Sequence, residues 1–259
     1  MRPACLIIGL SSMLFLLLSS CEKESDLPFH DVLQGKGILQ RVLLFSDIDS
    51  ETPLGISEEY EYDDDERVSR VSSPLYEDGE VLGTIWYDLY EYNSLGQLSA
   101  IKNFNANSNA PSGFINLKNT TYTYTSAGKR KIEHIEYPQI NSSEYYLYKY
   151  DQNRLVRVEH YGSTDQLESY VEREYDEEGY FVRESNYAYD NQLLSYTKHQ
   201  YTGGLNTRSD VYSGSRNEHI RQILKTYDDN FNLSVLDSKE LSPVSSMMSY
   251  VLRYEYMDE

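Results

Sequence analysis

Several groups of side chains in this 259-residue chain have the types and spacing to do chemistry. His134 and His160 stand at matching places in two strand-like runs, so imidazoles on neighbouring hairpins would be placed to share a metal ion. Asp63-Asp64-Asp65-Glu66, Asp176-Glu177-Glu178 and Asp228-Asp229-Asn230 carry hard oxygen donors of the kind calcium takes. Tyr146, Tyr148, Tyr150 and Tyr175, with Asn105 and Asn107 in an Asn-rich stretch, join amphipathic rings to amides. That combination suits stacking on a sugar ring or on an apolar peptide side chain, and these six residues are the candidate ligand contacts.

Each group also has a plainer reading. The slot after His160 holds Asn186, and no third His or Cys falls in register, so repeat inheritance accounts for the histidine pair. The acidic runs lack EF-hand spacing, and acidic residues are ordinary turn formers. Tyrosines stacked in columns across strands contribute about 0.2–1 kcal/mol per pair, which gives most of the 26 tyrosines a structural role. Lys131, Arg157 and Arg183 recur at steps of 26 beside Glu133, Glu159 and Glu184, a pattern that predicts cross-strand charge pairing. Ser126-Ala127-Gly128-Lys129 spells the Ser-x-x-Lys nucleophile motif, but in a turn and without the companion motifs that such enzymes need. With no P-loop, dinucleotide fingerprint or nucleophile elbow, the chain is read as non-enzymatic, with no cofactor and no metal.

The elements that position these side chains are announced by a repeat. Tyr62, Tyr92, Tyr124, Tyr150, Tyr175, Tyr201, Tyr227 and Tyr256 end strand-like runs at steps of 30, 32, 26, 25, 26, 26 and 29 residues. A fixed period of this size marks a chain assembled from one supersecondary unit. In the unit around Tyr175, Tyr170 to Tyr175 reads as a strand, Asp176-Glu177-Glu178-Gly179 as a turn, and Tyr180 to Ser185 as the returning strand. The expected fold is all-β: an antiparallel up-and-down meander of β-hairpins with about 16 strands, two per repeat, curved or closed into a barrel-like sheet. Closure is favoured because it leaves no unpaired edge. Residues 103–113, 138–143 and 242–246 read as connections, the first being the clearest place for a recognition loop.

Residues 1–20 read as a signal peptide, with a positive start and a short apolar run from Leu6 to Leu18. Leu18-Ser19-Ser20-Cys21 resembles a bacterial lipobox, which implies cleavage before Cys21, lipidation of its thiol and acylation of its new amino group. Three acyl chains exceed the two signals that stable anchoring needs. Residues 21–36 then read as the lipidated Cys and a flexible tether, and 37–259 as one hairpin-repeat domain. Cys5 leaves with the signal, so after lipidation no thiol remains for a disulfide or a nucleophile. The formal charge of −19 repels polyanions, and nucleic acid is excluded as a partner.

Tyr-x-Tyr-Asp-x-x-Gly-x-Leu, matched best at Tyr90 to Leu98 and Arg173 to Phe181, resembles the YD repeat of rearrangement-hotspot and teneurin-type shell proteins. In size, lipobox and repeat number the chain is similar to a group of Gram-negative lipoproteins with YD-like hairpins, for which a porin-like fold is described. The resemblance covers nearly all of residues 37–259 and implies a fold and a place: an outer-membrane lipoprotein on the periplasmic face or the cell surface. It implies no activity. The strands themselves lack the alternating apolar face that lipid contact demands, which predicts a barrel held at the membrane by its lipid rather than inserted through it. The reading is a membrane-anchored binding or scaffold lipoprotein with a glycan or peptide ligand. A purely structural envelope protein is the alternative, and an enzyme of unrecognised type comes third.

Overall fold

The computed structural model describes residues 38–77, 80–242 and 249–257. The signal segment, Cys21, the tether and most of the 242–246 connection lie outside the described residues. Sixteen strands follow in chain order. They are β1 (Leu39–Phe45), β2 (Gly55–Tyr62), β3 (Val68–Glu77), β4 (Glu80–Tyr92), β5 (Leu98–Ala106), β6 (Phe114–Tyr124), β7 (Arg130–Tyr137) and β8 (Ser142–Asp151). β9 (Arg154–Tyr161), β10 (Leu167–Tyr175), β11 (Phe181–Ala188), β12 (Leu193–Thr202), β13 (Leu205–Ser213), β14 (His219–Tyr227), β15 (Leu233–Glu240) and β16 (Tyr250–Tyr256) complete the set. Each strand pairs antiparallel with its sequence neighbours, and β1 pairs with β16, so the meander closes into a barrel without free edges.

Turn chemistry explains why the hairpins form. In five of the seven tight turns at one rim, residue one hydrogen-bonds residues four and five through the backbone, as where Asn93 N–H donates to Gln97 O and Gly96 N–H to Asn93 O. The side chain of residue one accepts further backbone N–H groups: Asp63 Oδ1 from Asp65 and Arg67, Asn93 Oδ1 from Leu95 and Gln97, Asp228 Oδ1 from Asn230 and Asn232. The fourth residue takes a left-handed backbone, with φ of 78° at Gly96, 82° at Gly128 and 93° at Gly179. The other two turns are two-residue loops with positive φ at both positions, Gln152-Asn153 and Gly203-Gly204. The first residue of each acidic cluster, Asp63, Asp176 or Asp228, is therefore a turn cap whose carboxylate is engaged by backbone N–H groups.

In all seven of these hairpins the register slips immediately before the repeat tyrosine, for instance between Glu61 and Tyr62, Glu91 and Tyr92, and Glu174 and Tyr175. A bulge at the same place in every unit adds twist and curvature, which is what bending sixteen strands into a ring requires.

The tyrosines complete the rim. Each repeat tyrosine donates its hydroxyl to a backbone carbonyl at the start of the preceding strand, where no turn joins the two. Tyr62 reaches Leu39 O at 2.7 Å, Tyr92 Val68 O at 2.8 Å, Tyr124 Leu98 O at 2.7 Å and Tyr150 Arg130 O at 2.8 Å. Tyr175 reaches Leu155 O at 2.9 Å, Tyr201 Phe181 O at 2.7 Å, Tyr227 Asn206 O at 2.9 Å and Tyr256 Leu233 O at 3.0 Å. Around this rim, turns and tyrosine clamps alternate, and at the β1–β16 seam Met257 N–H donates to Ile38 O at 2.8 Å.

Alternation along each strand divides side chains into two faces. The face carrying the clamps is the inner one. On it Leu39, Val42, Tyr60, Val68, Val71, Ile223, Leu233, Leu236, Leu252 and Tyr254 form the apolar core, concentrated on β14–β16 and β1–β3. The outer face holds charge pairs: Arg41–Glu255, Arg70–Glu61 at 3.0 Å, Lys102–Glu91, Arg157–Glu172 at 2.8 Å and Arg208–Asp210 at 2.7 Å. Hydrocarbon contact would cost about 2–4 kcal/mol for each such basic side chain at mid-bilayer, so this surface is built for water.

Candidate functional site

Two residues before each clamp, on the same inner face, stands a second ring: Tyr60, Tyr90, Tyr122 and Tyr148 on β2, β4, β6 and β8, Arg173, His199 and Lys225 on β10, β12 and β14, and Tyr254 on β16. One arc of the ring is tyrosine and the other is nitrogenous. Another step back stand Glu58 and Asp88. Register puts Glu58 in one row with Val42 and Tyr254, and Asp88 in one row with Val71 and Tyr60.

The Tyr60 hydroxyl donates to Glu58 Oε2. Asn103 Nδ2 donates to Asp88 Oδ1 at 2.6 Å. Burial raises the pKa of Glu58 despite the Tyr60 bond, and the Asp88 charge adds to the rise. Burial likewise raises Asp88, against the opposing pull of Asn103 and Lys118. Tyr90 and Tyr254 are pushed well above the ordinary phenol range, first by burial and then by these carboxylates. The Tyr254 residue is 8% exposed, and its hydroxyl is buried without a hydrogen-bond partner among the described residues. Glu58, Trp86 and Tyr90 are only half-buried on this inner face.

On the nitrogenous arc, Arg173 Nε donates to Glu184 Oε2 at 3.1 Å, and the His199 ring packs 4.7 Å from Phe181. Burial, with the Lys225 and Arg173 charges, lowers His199 to about 3, so its ring is neutral at pH 7. Neutral His199 Nδ1 lies 2.9 Å from Ser209 Oγ and 3.2 Å from Asn206 Nδ2.

The candidate ligand contacts fall in several places. Tyr150 and Tyr175 are clamps. Tyr148 belongs to the second ring and donates to Glu133 Oε2 at 2.6 Å, with Arg130 beside both. Tyr146 stacks on His160 at 4.6 Å, also on the inner face. The expected loop at 103–113 is shorter than read: β5 runs through Ala106, Asn105 is a strand residue opposite Trp86, and only Asn107 lies in the loop, its Oδ1 accepting Asn109 N–H at 2.9 Å. Tyr146 and Tyr148 are thus near neighbours, whereas Asn105 and Asn107 sit strands away.

His134 and His160 do not face each other. His134 pairs with Thr121 and Tyr145 on the outer face, and His160 with Tyr146 on the inner face. A step of 26 residues between them, against 25 between the clamp acceptors Arg130 and Leu155, shifts one strand position and reverses the face. The same arithmetic splits the expected charge ladder. Arg157 pairs with Glu159 and Glu172, and Arg183 with Glu174, on the outer face, while Glu133 and Glu184 pair inward with Arg130 and Arg173. Among the described residues, no three His, Cys, Asp or Glu side chains converge as a metal site. Glu58, Asp88 and Tyr254 were not singled out in the sequence. The available signal was the Tyr-x-Tyr pairing, whose first member marks the second ring.

Fold and faces define a closed sixteen-stranded antiparallel barrel with a water-compatible exterior and a polar, aromatic interior. The solved structures it resembles include porin-like proteins. One from Bacteroides uniformis ATCC 8492 matches at a TM-score of 0.38 and 11% identity, over 85% of this chain and 98% of that chain. Another, from Bacteroides vulgatus ATCC 8482, matches at 0.36 and 10%, over 85% and 99%. The Photorhabdus luminescens Tc holotoxin pore matches at 0.25 and 14% identity, over 80% of this chain and 13% of that chain. At these scores the likeness carries no argument about activity. No family model matches the chain, and no curated protein matches it.

Proposed function

We propose that the protein is a lipid-anchored extracytoplasmic binding protein of the outer membrane, and that the barrel interior is its ligand chamber. The observation behind this reading is the tyrosine arc on the inner face, where carboxylates and hydroxyls are stripped of bulk water although Glu58, Trp86 and Tyr90 are only half-buried. Barrel diameter grows with strand number, and eight strands already enclose about as much as side chains can fill. Sixteen strands leave room for a guest. β1 begins at the clamp rim, so a tether running from Cys21 would attach there and leave the loop rim free for entry. The lipobox, the YD-like repeats and the polar exterior support the place. A purely structural envelope role draws support from the clamps, which commit eight tyrosines to the framework.

A thermal-shift screen of the lipidated protein in detergent, against envelope glycans, peptides and small organic ions, tests the reading. A ligand at 100 times its Kd adds about 2.7 kcal/mol. A saturable rise in Tm that vanishes in Tyr90→Ala supports the chamber. Silence across the panel, with wild-type stability in Tyr90→Ala, favours the structural role.

A further inference from the structure

We infer that the arc formed by Glu58, Asp88, Tyr60, Tyr90 and Tyr254 is a site for a small monovalent organic ammonium ion. The inference rests on the chamber reading and gives it a ligand class.

Charge comes first. The titratable groups facing Glu58 are Tyr60 beside it on β2, Asp88 and Tyr90 on β4 and Tyr254 on β16, while β1 and β3 contribute Val42 and Val71 in the same rows. Lys118 is the cation within range of Asp88. With both carboxylates ionised, the one ammonium among the described residues that acts on them leaves a negative charge where water is scarce, and a monovalent cation balances it. Hydrogen bonding comes second. One oxygen of each carboxylate is engaged, by Tyr60 and by Asn103, which leaves Glu58 Oε1 and Asp88 Oδ2 as acceptors. The unpartnered Tyr254 hydroxyl, in the row of Glu58, adds a further acceptor for an N–H group. Faces come third. Tyr60, Tyr90 and Trp86 share the inner face with the two carboxylates, and aromatic rings attract an ammonium group. An anion would be repelled by the carboxylates, a neutral sugar would leave the charge standing, and the donor set is too small for a metal.

The test is titration calorimetry on the lipidated protein in detergent, with ethylammonium and tetramethylammonium as probes and cellobiose as the neutral control. The expected result at pH 8 is saturable binding of ethylammonium that weakens tenfold or more in Glu58→Gln, a variant that keeps the acceptor for Tyr60. Tyr254→Phe should weaken ethylammonium and spare tetramethylammonium, which has no N–H to share. Lowering the pH should weaken both probes as Glu58 takes up its proton. Equal ethylammonium affinity in wild type and Glu58→Gln overturns the inference. Cellobiose binding that survives Glu58→Gln, without ammonium binding, overturns the ligand class and leaves the chamber. Absence of binding by all three, with Glu58→Gln simply raising Tm, overturns both.

Discussion

At the scale of the residue, a tyrosine hydroxyl does here what a loop does elsewhere. The clamp hydroxyl ties two strands that the chain does not join at that rim, and its acceptor is a main-chain carbonyl. Removing one such bond should cost about 0.5–1.5 kcal/mol, since water can replace the partner only in part. Tyr92→Phe is therefore expected to lower Tm by a few degrees, and Tyr92→Phe with Tyr175→Phe to cost nearly the sum, because the sites are far apart. Denaturant titration of the three variants measures both. His199 adds a pH dependence. Its folded pKa, about 3, lies below the ordinary 6.5, so the unfolded chain binds the proton more tightly. Stability is then full above about pH 6.5 and falls as pH drops toward 3, by at most about 1.4 kcal/mol per unit. In His199→Asn the melting curve should lose that part of its acid slope; an unchanged slope would mean that the histidine is hydrated.

At the scale of the element, the hairpin is specified by its turn. Phe231 occupies the left-handed fourth position with φ of 64° and a side chain 57% exposed, where sister turns use Gly96, Gly128 and Gly179. Phe231→Gly should stabilise by about 0.5–1 kcal/mol by relieving that backbone, seen as a higher melting temperature. Much of this level was legible in the chain: strand number, turn positions, the glycine sites and closure all follow from a tyrosine period and period-two alternation. The clamps were legible as a period only. Their acceptors are carbonyls of Leu, Val, Arg, Phe and Asn residues, and a backbone acceptor leaves no mark on residue type. The sides taken by His134 and His160 were hidden for a different reason. Turn length and bulge placement set face by single residues, finer than a period of about 26 resolves. The acid–tyrosine arc was hidden as well, since Glu58 and Tyr254 lie near opposite ends of the chain and meet only when the seam closes.

At the scale of the whole molecule, the barrel pairs charges on its outer face and keeps its clamp tyrosines within, so the lipid anchor proposed at Cys21 would hold a fold whose strands need no lipid. Cys21→Ala is expected to abolish lipid labelling and to move the protein from the detergent to the aqueous phase in Triton X-114 partitioning, still folded by circular dichroism. Retention in the detergent phase would mean that the strands themselves contact lipid. The seam carries a last consequence. Ile38 and Met257 meet through one backbone hydrogen bond at a rim where every other pair of turn-joined strands is linked by two to five residues. Joining those ends with a turn copied from residues 125–129 would supply the missing connection, and the chain could then be cut within any loop of the far rim. The circularly permuted protein should melt close to the parent, because a ring of equivalent hairpins has a circumference but no privileged starting point.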